Sequence, residues 1–298
     1  MTRVPRFFAL VLVSLALTAS SALATTIQRS FVSAQLGNDV NACGPTAPCR
    51  TFAKAISVTT AGGEVIILDS GGYGAFSIAQ AVSINAPTGV YAGITAFSGD
   101  AVAVAAGGSD VVSLRGLTLN GLGGVNGVNF TTGAALHVEN CSASNFTGAG
   151  YTFTSTGLVF FKDSSARSSG NGAVLNNGSS LASIDSCRFE RNTGAGLLVS
   201  AGKASVRSSV ASANANGLEA VAGTSPELNI EKCLAANNTG IGVNADGAGT
   251  VVRVSNSTIT DNGTGVAQTG GSTLVTRTNN TLEGNGAGNT SPGTYSAK

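Results

Sequence analysis

The sequence predicts an all-β fold, a right-handed parallel β-helix of about ten coils of about 23 residues each, with a short N-terminal capping helix. An apolar pattern recurs every 22–24 residues, and apolar and variable positions alternate within each repeat. The recurrence is typical of a solenoid, and the alternation is typical of a strand with one buried face. Charged residues make up only 10% of the 298 residues, as in some disordered chains, but regularly spaced Val, Ile and Leu argue against disorder.

The first 24 residues have the features of a secretory signal peptide. Arg3 and Arg6 precede an apolar run at 7–17, and an Ala-x-Ala cleavage site ends at Ala24. A membrane anchor is the alternative, but the run is shorter than the roughly 20 residues that span a bilayer. We therefore expect a secreted, periplasmic or cell-surface protein with no transmembrane segment after cleavage.

Net charge argues against two classes of partner. Residues 1–24 carry two arginines and no acidic residue, so their removal changes the formal charge from +1 to −1. A nearly neutral chain has no bulk field that attracts nucleic acid or an anionic membrane. We expect neither as a partner.

Residues 25–61 are predicted to form an N-terminal segment that includes the capping helix. Four residues fall at helical spacing: Phe52, Ala55, Ile56 and Thr59. An amphipathic helix there would cover the open end of the first coil. Cys43 and Cys49 lie outside the repeat, and in an exported protein a local disulfide between them is the favoured interpretation.

The repeat is predicted to extend from residue 62 to about 290, with 291–298 as a C-terminal tail. Eight segments of one pattern start at Leu114, Val138, Phe161, Ile184, Val206, Ile230, Val254 and Thr276. The residue two positions before each start is also apolar: Val112, Leu136, Val159, Ala182, Ala204, Leu228, Val252 and Leu274. One variable position separates these two columns, so both are predicted to face the core of a stacked strand.

Polar positions in the repeat predict turns and ladders. The third position of each segment is dominated by turn residues: Gly116, Asn140, Asp163, Ser186, Ser208, Lys232, Asn256 and Thr278. Further along each coil, four asparagines share one column: Asn192, Asn214, Asn238 and Asn262. Side-chain amides in such a column can bond from coil to coil.

Three cysteines test the register. Cys141, Cys187 and Cys233 lie 46 residues apart, or two coils, and alternate with serines. Two coils separate Cα atoms by about 9.6 Å, beyond the roughly 7 Å limit for a disulfide. We expect three buried free thiols.

The segments FAKAI from Phe52, AGGEVIIL from Ala61 and GGY ending at Tyr73 resemble the N-terminal cap and first coil of the pectate-lyase-like superfamily. With the later coils, the resemblance covers about residues 50 to 285. It implies a right-handed parallel β-helix. Members of the superfamily include polysaccharide lyases, glycoside hydrolases, epimerases, tailspikes and adhesins, so the resemblance specifies the fold better than the activity.

The catalytic motifs of these enzymes are missing from the sequence. It has no Asn-Thr-Asp, Asp-Asp or Gly-His-Gly string, no Asp-Pro-His-Asp string and no acidic calcium cluster beside an arginine; the nearest strings are Asn-Thr-Gly at Asn192 and Asn238. Zinc ligands at the usual Cys/His spacing are absent too. We therefore assign no catalytic residue, no metal site and no cofactor. Were turnover to appear and to survive His137→Ala and Glu139→Gln, the next residues to test would be Asp100, Asp110, Asp246 and Asp261.

One outward column alternates in charge: Arg115, Glu139, Lys162, Asp185, Arg207, Glu231, Ser255 and Arg277. A ladder that fixes strand register is the favoured interpretation. The only histidine, His137, falls on the same face. The candidate glycan-binding residues are Arg115, His137, Glu139, Phe160 and Lys162, which would share one face across three adjacent coils.

Two functions remain open at this point. The first is a non-catalytic exported protein that binds glycan or acts as a surface scaffold, with polysaccharide as its expected partner. The alternative is a polysaccharide lyase, epimerase or hydrolase with a diverged site. Three or more carboxylates around one groove would favour the enzyme, whereas a face dominated by Ser, Thr and Asn would favour binding or a structural role. The sequence predicts neither the ligand nor the oligomeric state.

Overall fold

The computed structural model describes residues 26–286 and 289–296. The predicted signal peptide, residues 1–24, lies outside the described residues. The described chain is an all-β solenoid of about ten turns, in which each turn contributes strands to three parallel sheets. This confirms the predicted fold class.

Sheet 1 is the longest of the three stacks, and its outer face carries the candidate site. It is formed by Ile27–Val32, Thr59–Ile67, Val82–Asn85, Val111–Arg115, Ala135–Glu139, Leu158–Lys162, the second halves of Asn171–Asp185, Ala195–Arg207 and Asn216–Glu231, then Val251–Ser255, Thr273–Thr276 and Gly293–Thr294.

Sheets 2 and 3 complete each turn. Sheet 2 contains Gly71–Gly72, Ala92–Ala96, Leu117–Gly121, Ser142–Ser144, Ser165–Arg167, Arg188–Glu190, Val210–Ser212, Leu234–Ala236, Thr258–Thr260 and Thr281–Glu283. Sheet 3 contains Phe76–Ile78, Asp100–Ala105, Asn126–Thr132, Ala149–Phe153, the first halves of the three long strands, Ile241–Asp246 and Thr264–Thr269.

The two apolar columns of sheet 1 stack in the predicted register. Leu136 pairs with Val112 on one side and with Val159 on the other. The remaining members of both columns are buried as well, except for Thr276, which is half-buried. Apolar burial along the whole solenoid axis is therefore the main stabilising contribution to the stack.

Left-handed backbone marks two corners of most turns. All eight residues of the predicted turn column, between sheets 1 and 2, have φ values of 48° to 75°. A second left-handed column, between sheets 2 and 3, was not predicted: Asn145, Ser168, Arg191, Ala213, Asn237, Asp261 and Gly284, with φ values of 52° to 70°. Arg191 and Ala213 are not typical turn residues, so stacking imposes the conformation there.

The asparagine column forms the predicted ladder. Asn192 Nδ2 donates to Asn214 Oδ1 at 2.9 Å, Asn214 Nδ2 to Asn238 Oδ1 at 3.2 Å, and Asn238 Nδ2 to Asn262 Oδ1 at 2.8 Å. The ladder continues to Asn285 Oδ1 at 2.9 Å. Each amide therefore satisfies polar groups of the next coil inside the corner.

The cysteines divide into two groups. Cys43 and Cys49 are joined by a disulfide. Cys141, Cys187 and Cys233 are buried and free, as predicted. Burial raises the pKa of the Cys141 and Cys187 thiols to about 12, so these side chains act as apolar core atoms.

The only helix in the described residues is Phe52–Val58, with Thr51 as its N-cap. Phe52, Ala55 and Ile56 are buried, and the Phe52 ring stacks on Phe76 at 4.3 Å between centroids.

One feature differs from the predicted layout. The strand Ile27–Val32 precedes the helix and pairs with Thr59–Ile67, so sheet 1 already begins within residues 25–61. No helix in the described part of the chain is long and apolar enough to cross a membrane.

Candidate functional site

The five candidate residues lie together on the outer face of sheet 1. Val111–Arg115, Ala135–Glu139 and Leu158–Lys162 pair in register, so Arg115, Glu139 and Lys162 form one row and His137 and Phe160 are direct neighbours in the next. The rings of His137 and Phe160 are 4.5 Å apart between centroids and 14° from parallel. Each ring therefore covers one face of the other, which leaves less aromatic surface for a sugar ring than an open platform would.

The charged column is in register but makes few ion pairs. Arg115 Nη2 lies 3.8 Å from Glu139 Oε1, whereas Lys162 Nζ contacts Asp163 at 3.6 Å instead of a member of the column. Exposed pairs of this kind contribute only about 0–1 kcal/mol each. Register on this face is therefore set mainly by the apolar columns beneath it.

A row of apolar side chains runs beside the stacked rings. It consists of Val111, Ala135, Leu158 and Leu181, which pair across four neighbouring strands. Val111, Leu158 and Leu181 are exposed by 47%, 41% and 50%, and Phe160 by 40%. Neither of the two open grooves found on sheet 1 is lined by a residue of this row.

The groove on this face begins where the apolar row ends. It has a volume of about 400 Å³ and runs along sheet 1 from the strand of Asp185 to the C-terminal segment. Its charged and aromatic lining residues are Asp185, Arg207, Glu231, Arg253, Arg277 and Tyr295, and its small polar lining residues are Ser183, Ser205, Asn229 and Ser255. The Arg277 guanidinium lies 5.2 Å from the centre of the Tyr295 ring, and this pair closes one end.

One arginine of the groove is held by a neighbouring carboxylate. Arg253 Nη1 donates to Glu227 Oε1 at 2.5 Å and to Asn229 Oδ1 at 3.1 Å, and Lys203 Nζ lies 3.4 Å from Glu227 Oε2. Burial alone would raise the pKa of Glu227, but the hydrogen bonds from Asn229 and Arg253 and the Arg253 charge outweigh it and lower that pKa. Glu227 therefore stays ionised and fixes Arg253 at the edge of the groove.

Besides Arg277, which contacts the Tyr295 ring, three charged groups of the groove have no ion-pair partner in the described part of the chain. Within residues 26–286 and 289–296, Arg207 and Glu231 make no side-chain hydrogen bond or ion pair, and Asp185 accepts one long hydrogen bond from Ser186. They occupy one column, Arg207 between the two carboxylates. An unpaired guanidinium beside two carboxylates is a good recognition element for hydroxyl and carboxylate groups.

The other acidic residues considered from the sequence do not join this groove. Asp100 accepts hydrogen bonds from Asn126 and Asn129 on sheet 3, and Asp110 closes the turn at Gly107. Asp246 ends a sheet 3 strand and Asp261 lies in a corner. Across the described residues, no three His, Cys, Asp or Glu side chains lie close enough together to hold a metal ion.

Comparison with known proteins agrees with this architecture. The family described as right-handed β-helix region matches residues 82–229. The chain therefore has the right-handed parallel β-helix fold. Among curated protein sequences no match is found.

Solved structures with this β-helix fold include two similar lyases. Pectate lyase Pel9A superposes with a TM-score of 0.67 at 17% identity, over 88% of this chain and 79% of the lyase. A rhamnogalacturonan lyase superposes with a TM-score of 0.52 at 14% identity, over 88% and 89% of the two chains. At these identities the likeness establishes the fold of this β-helix protein.

The residues predicted from the sequence lie on the same face of sheet 1 as the groove, but the groove itself was not predicted. The charged column includes Asp185, Arg207, Glu231 and Arg277, so alternation alone pointed to part of the lining. Tyr295 lies in the predicted tail 291–298, outside the repeat, and only the strand Gly293–Thr294 brings it beside Arg277. The sequence signal that could have indicated this end of the groove is a tyrosine, Tyr295, beyond the last recognisable repeat.

Proposed function

We propose that this protein binds polysaccharide in the groove of sheet 1 without cleaving it. The observation that carries the proposal is the unpaired column of Asp185, Arg207 and Glu231 inside a groove of about 400 Å³. The names of the similar solved structures, a pectate lyase and a rhamnogalacturonan lyase, support polysaccharide as the ligand class.

The groove has the chemical groups that sugars require. Ser183, Ser205 and Asn229 offer hydroxyl and amide groups, and Asp185 and Glu231 accept hydrogen bonds from sugar hydroxyls. An arginine fork can bind a sugar carboxylate in bidentate fashion. With three arginines against two carboxylates lining it, the groove favours an acidic sugar over a neutral one.

Binding can be measured by isothermal titration of the mature protein with oligosaccharides from polygalacturonate, alginate and a neutral glucan. We expect an acidic oligosaccharide to bind and Arg207→Ala to weaken it about tenfold or more, because a charged hydrogen bond contributes about 1.5–3 kcal/mol. Arg188→Ala is the matched control, since Arg188 is an exposed arginine on sheet 2. Equal loss in both variants, or no binding by the wild type, would contradict the proposal.

A second candidate function follows from the two groove carboxylates. Asp185 and Glu231 lie two coils apart, about 9.6 Å between Cα atoms, and hydrolysis with inversion uses a pair of separated carboxyl groups. We expect no turnover of uronic-acid polysaccharides in a sensitive product assay. Turnover that disappears in Asp185→Asn or Glu231→Gln would show that the groove is a catalytic site. Turnover that disappears in His137→Ala or Glu139→Gln would place the catalytic site on the strands 135–139 and 158–162 instead.

Export is part of the same proposal. The features of residues 1–24 and the Cys43–Cys49 disulfide fit an oxidising compartment. Mass spectrometry of the protein from its producing cells should find Thr25 as the first residue of the mature chain. An intact N-terminus at Met1 would contradict export by cleavage.

A further inference from the structure

The strongest unassigned feature is the four-strand patch, which we define as the outward residues of the sheet 1 segments 111–115, 135–139, 158–162 and 181–185. We propose that this patch is the interface of a symmetric dimer of this chain. The proposal goes beyond polysaccharide binding: the patch shares only Ser183 and Asp185 with the groove, and its apolar residues lie outside the groove.

The first argument is apolar exposure. Val111, Leu158, Phe160 and Leu181 all point outward from the patch and are 40–50% exposed. Soluble monomers seldom expose several large apolar side chains side by side, and a flat apolar centre with a charged rim is typical of a protein interface. The charged rim here is the row of Arg115, Glu139, Lys162 and Asp185.

The second argument is symmetry. A two-fold axis parallel to the strands, placed between 135–139 and 158–162, makes the patch face itself with the two solenoid axes antiparallel. Val111 then faces Leu181 of the second copy, and Ala135 faces Leu158. In the middle row, His137 faces Phe160 and Ser113 faces Ser183. In these two rows, apolar side chains therefore face apolar ones, the two rings face each other, and the two serine hydroxyls face each other.

The charged row is complementary under the same axis. Arg115 faces Asp185 of the second copy, and Glu139 faces Lys162. Because Lys162 and Asp185 make no ion pair with their own neighbours in the row within the described chain, they are available to a second copy. Each pair occurs twice in an isologous interface, so its contribution to association is doubled.

Other placements of the axis fail. Moving it onto a strand sets Glu139 against Glu139 and Arg115 against Lys162. Moving it one coil towards the C-terminus keeps charges opposite but sets Val111 against Glu227. An axis along the solenoid sets the apolar row against the charged row. Only the first placement satisfies both rows.

The oligomeric state of the mature protein tests the proposal by sedimentation equilibrium. We expect a dimer at micromolar concentration and a monomer for Leu158→Asp, with unchanged circular dichroism because Leu158 is already 41% exposed. Leu122→Asp is the matched control: Leu122 is 56% exposed in a turn away from the patch and should leave the dimer intact. A wild-type monomer, or a Leu158→Asp dimer, would overturn the proposal.

A charge-reversal cycle tests the register. Arg115 and Asp185 lie three coils apart within one chain, about 14 Å, so energetic coupling between them in dimerisation reports a contact between copies. We expect Arg115→Asp and Asp185→Arg each to weaken dimerisation about tenfold, and the double variant to recover to within about threefold of wild type. Recovery with Glu231→Arg instead of Asp185→Arg would overturn this register.

Discussion

Glu219 and Asn244 are buried neighbours on the outer face of sheet 3. Asn244 Nδ2 and Asn216 Nδ2 both donate to Glu219 Oε1, at 3.1 and 2.8 Å. Asn244 Oδ1 is the one buried side-chain polar atom of the described residues without a hydrogen-bond partner. Burial raises the pKa of Glu219, with the nearby Asp246 charge adding to it and the two amide hydrogen bonds opposing it.

The raised pKa gives Glu219→Gln a pH-dependent effect. A carboxyl with a raised folded-state pKa stabilises the fold below its unfolded pKa, and that contribution is lost as pH rises through the folded pKa. The introduced side-chain amide stays neutral at every pH. Its N–H can donate a hydrogen bond to Asn244 Oδ1, and such a bond contributes about 1 kcal/mol to the free energy of unfolding. Calorimetry should therefore show a Tm gain at pH 8 that is larger than the gain at pH 4. A gain independent of pH would contradict the ionisation argument, and a loss at pH 8 would contradict both arguments.

Two substitutions near one corner should differ strongly. Ile184→Asp places a carboxylate in an apolar column and should lower the free energy of unfolding by several kcal/mol. Cys187→Ser should change it by less than about 1 kcal/mol, because serine already fills this position in the adjacent coils. Ser164 and Ser209 donate there to the Lys162 and Arg207 carbonyl oxygens at 2.7 and 2.8 Å. Equal shifts in urea denaturation would show that the column assignment is wrong.

At the scale of single elements, the asparagine ladder shows what repetition adds. Asn214 Oδ1 accepts from the backbone N–H and the side chain of Asn192, and its Nδ2 donates to Phe189 O and Asn238 Oδ1. Asn214→Ala leaves several of these buried groups unpaired, each worth about 1–3 kcal/mol, so we expect a loss of about 3 kcal/mol or more in urea denaturation.

The control for the ladder is Asn279→Ala. Asn279 Nδ2 also donates to an asparagine of the previous coil, Asn256 Oδ1 at 2.9 Å, but this pair is exposed to water. Its loss should change the free energy of unfolding by well under about 1 kcal/mol. A similar loss for both variants would mean that burial does not decide the strength of the ladder.

Elements that repeat could be predicted, and elements that occur once could not. The residues that stack with Leu136 and with Asn192 recur at a fixed period, so the repeats of a single chain can be aligned with one another. The strand Ile27–Val32 occurs outside that period, and its pairing with Thr59–Ile67 spans the disulfide loop and the helix. The second left-handed corner was hidden because residues such as Arg191 and Ala213 adopt it only under the constraint of stacked neighbours.

At the scale of the whole molecule, the two proposed contacts on sheet 1 should compete. In the proposed dimer, Arg207 faces Asn85 of the second copy, so the groove of each copy lies against the first coils of the other. A polysaccharide that fills the groove should therefore lower the dimer fraction in sedimentation velocity. Arg207→Ala should stay dimeric in the same polysaccharide. A bound ligand that leaves the dimer fraction unchanged would contradict this competition.

The stacking of the coils also determines how the chain can fold. After the first strand, residues paired across the sheets lie only 18–30 positions apart in sequence. All-parallel sheets usually join distant segments and fold slowly, but here the contact order is low and each loop to be closed is short. Folding can start from any adjacent pair of coils and grow outward. Amide hydrogen exchange should therefore be slowest in the central coils and become progressively faster towards both ends.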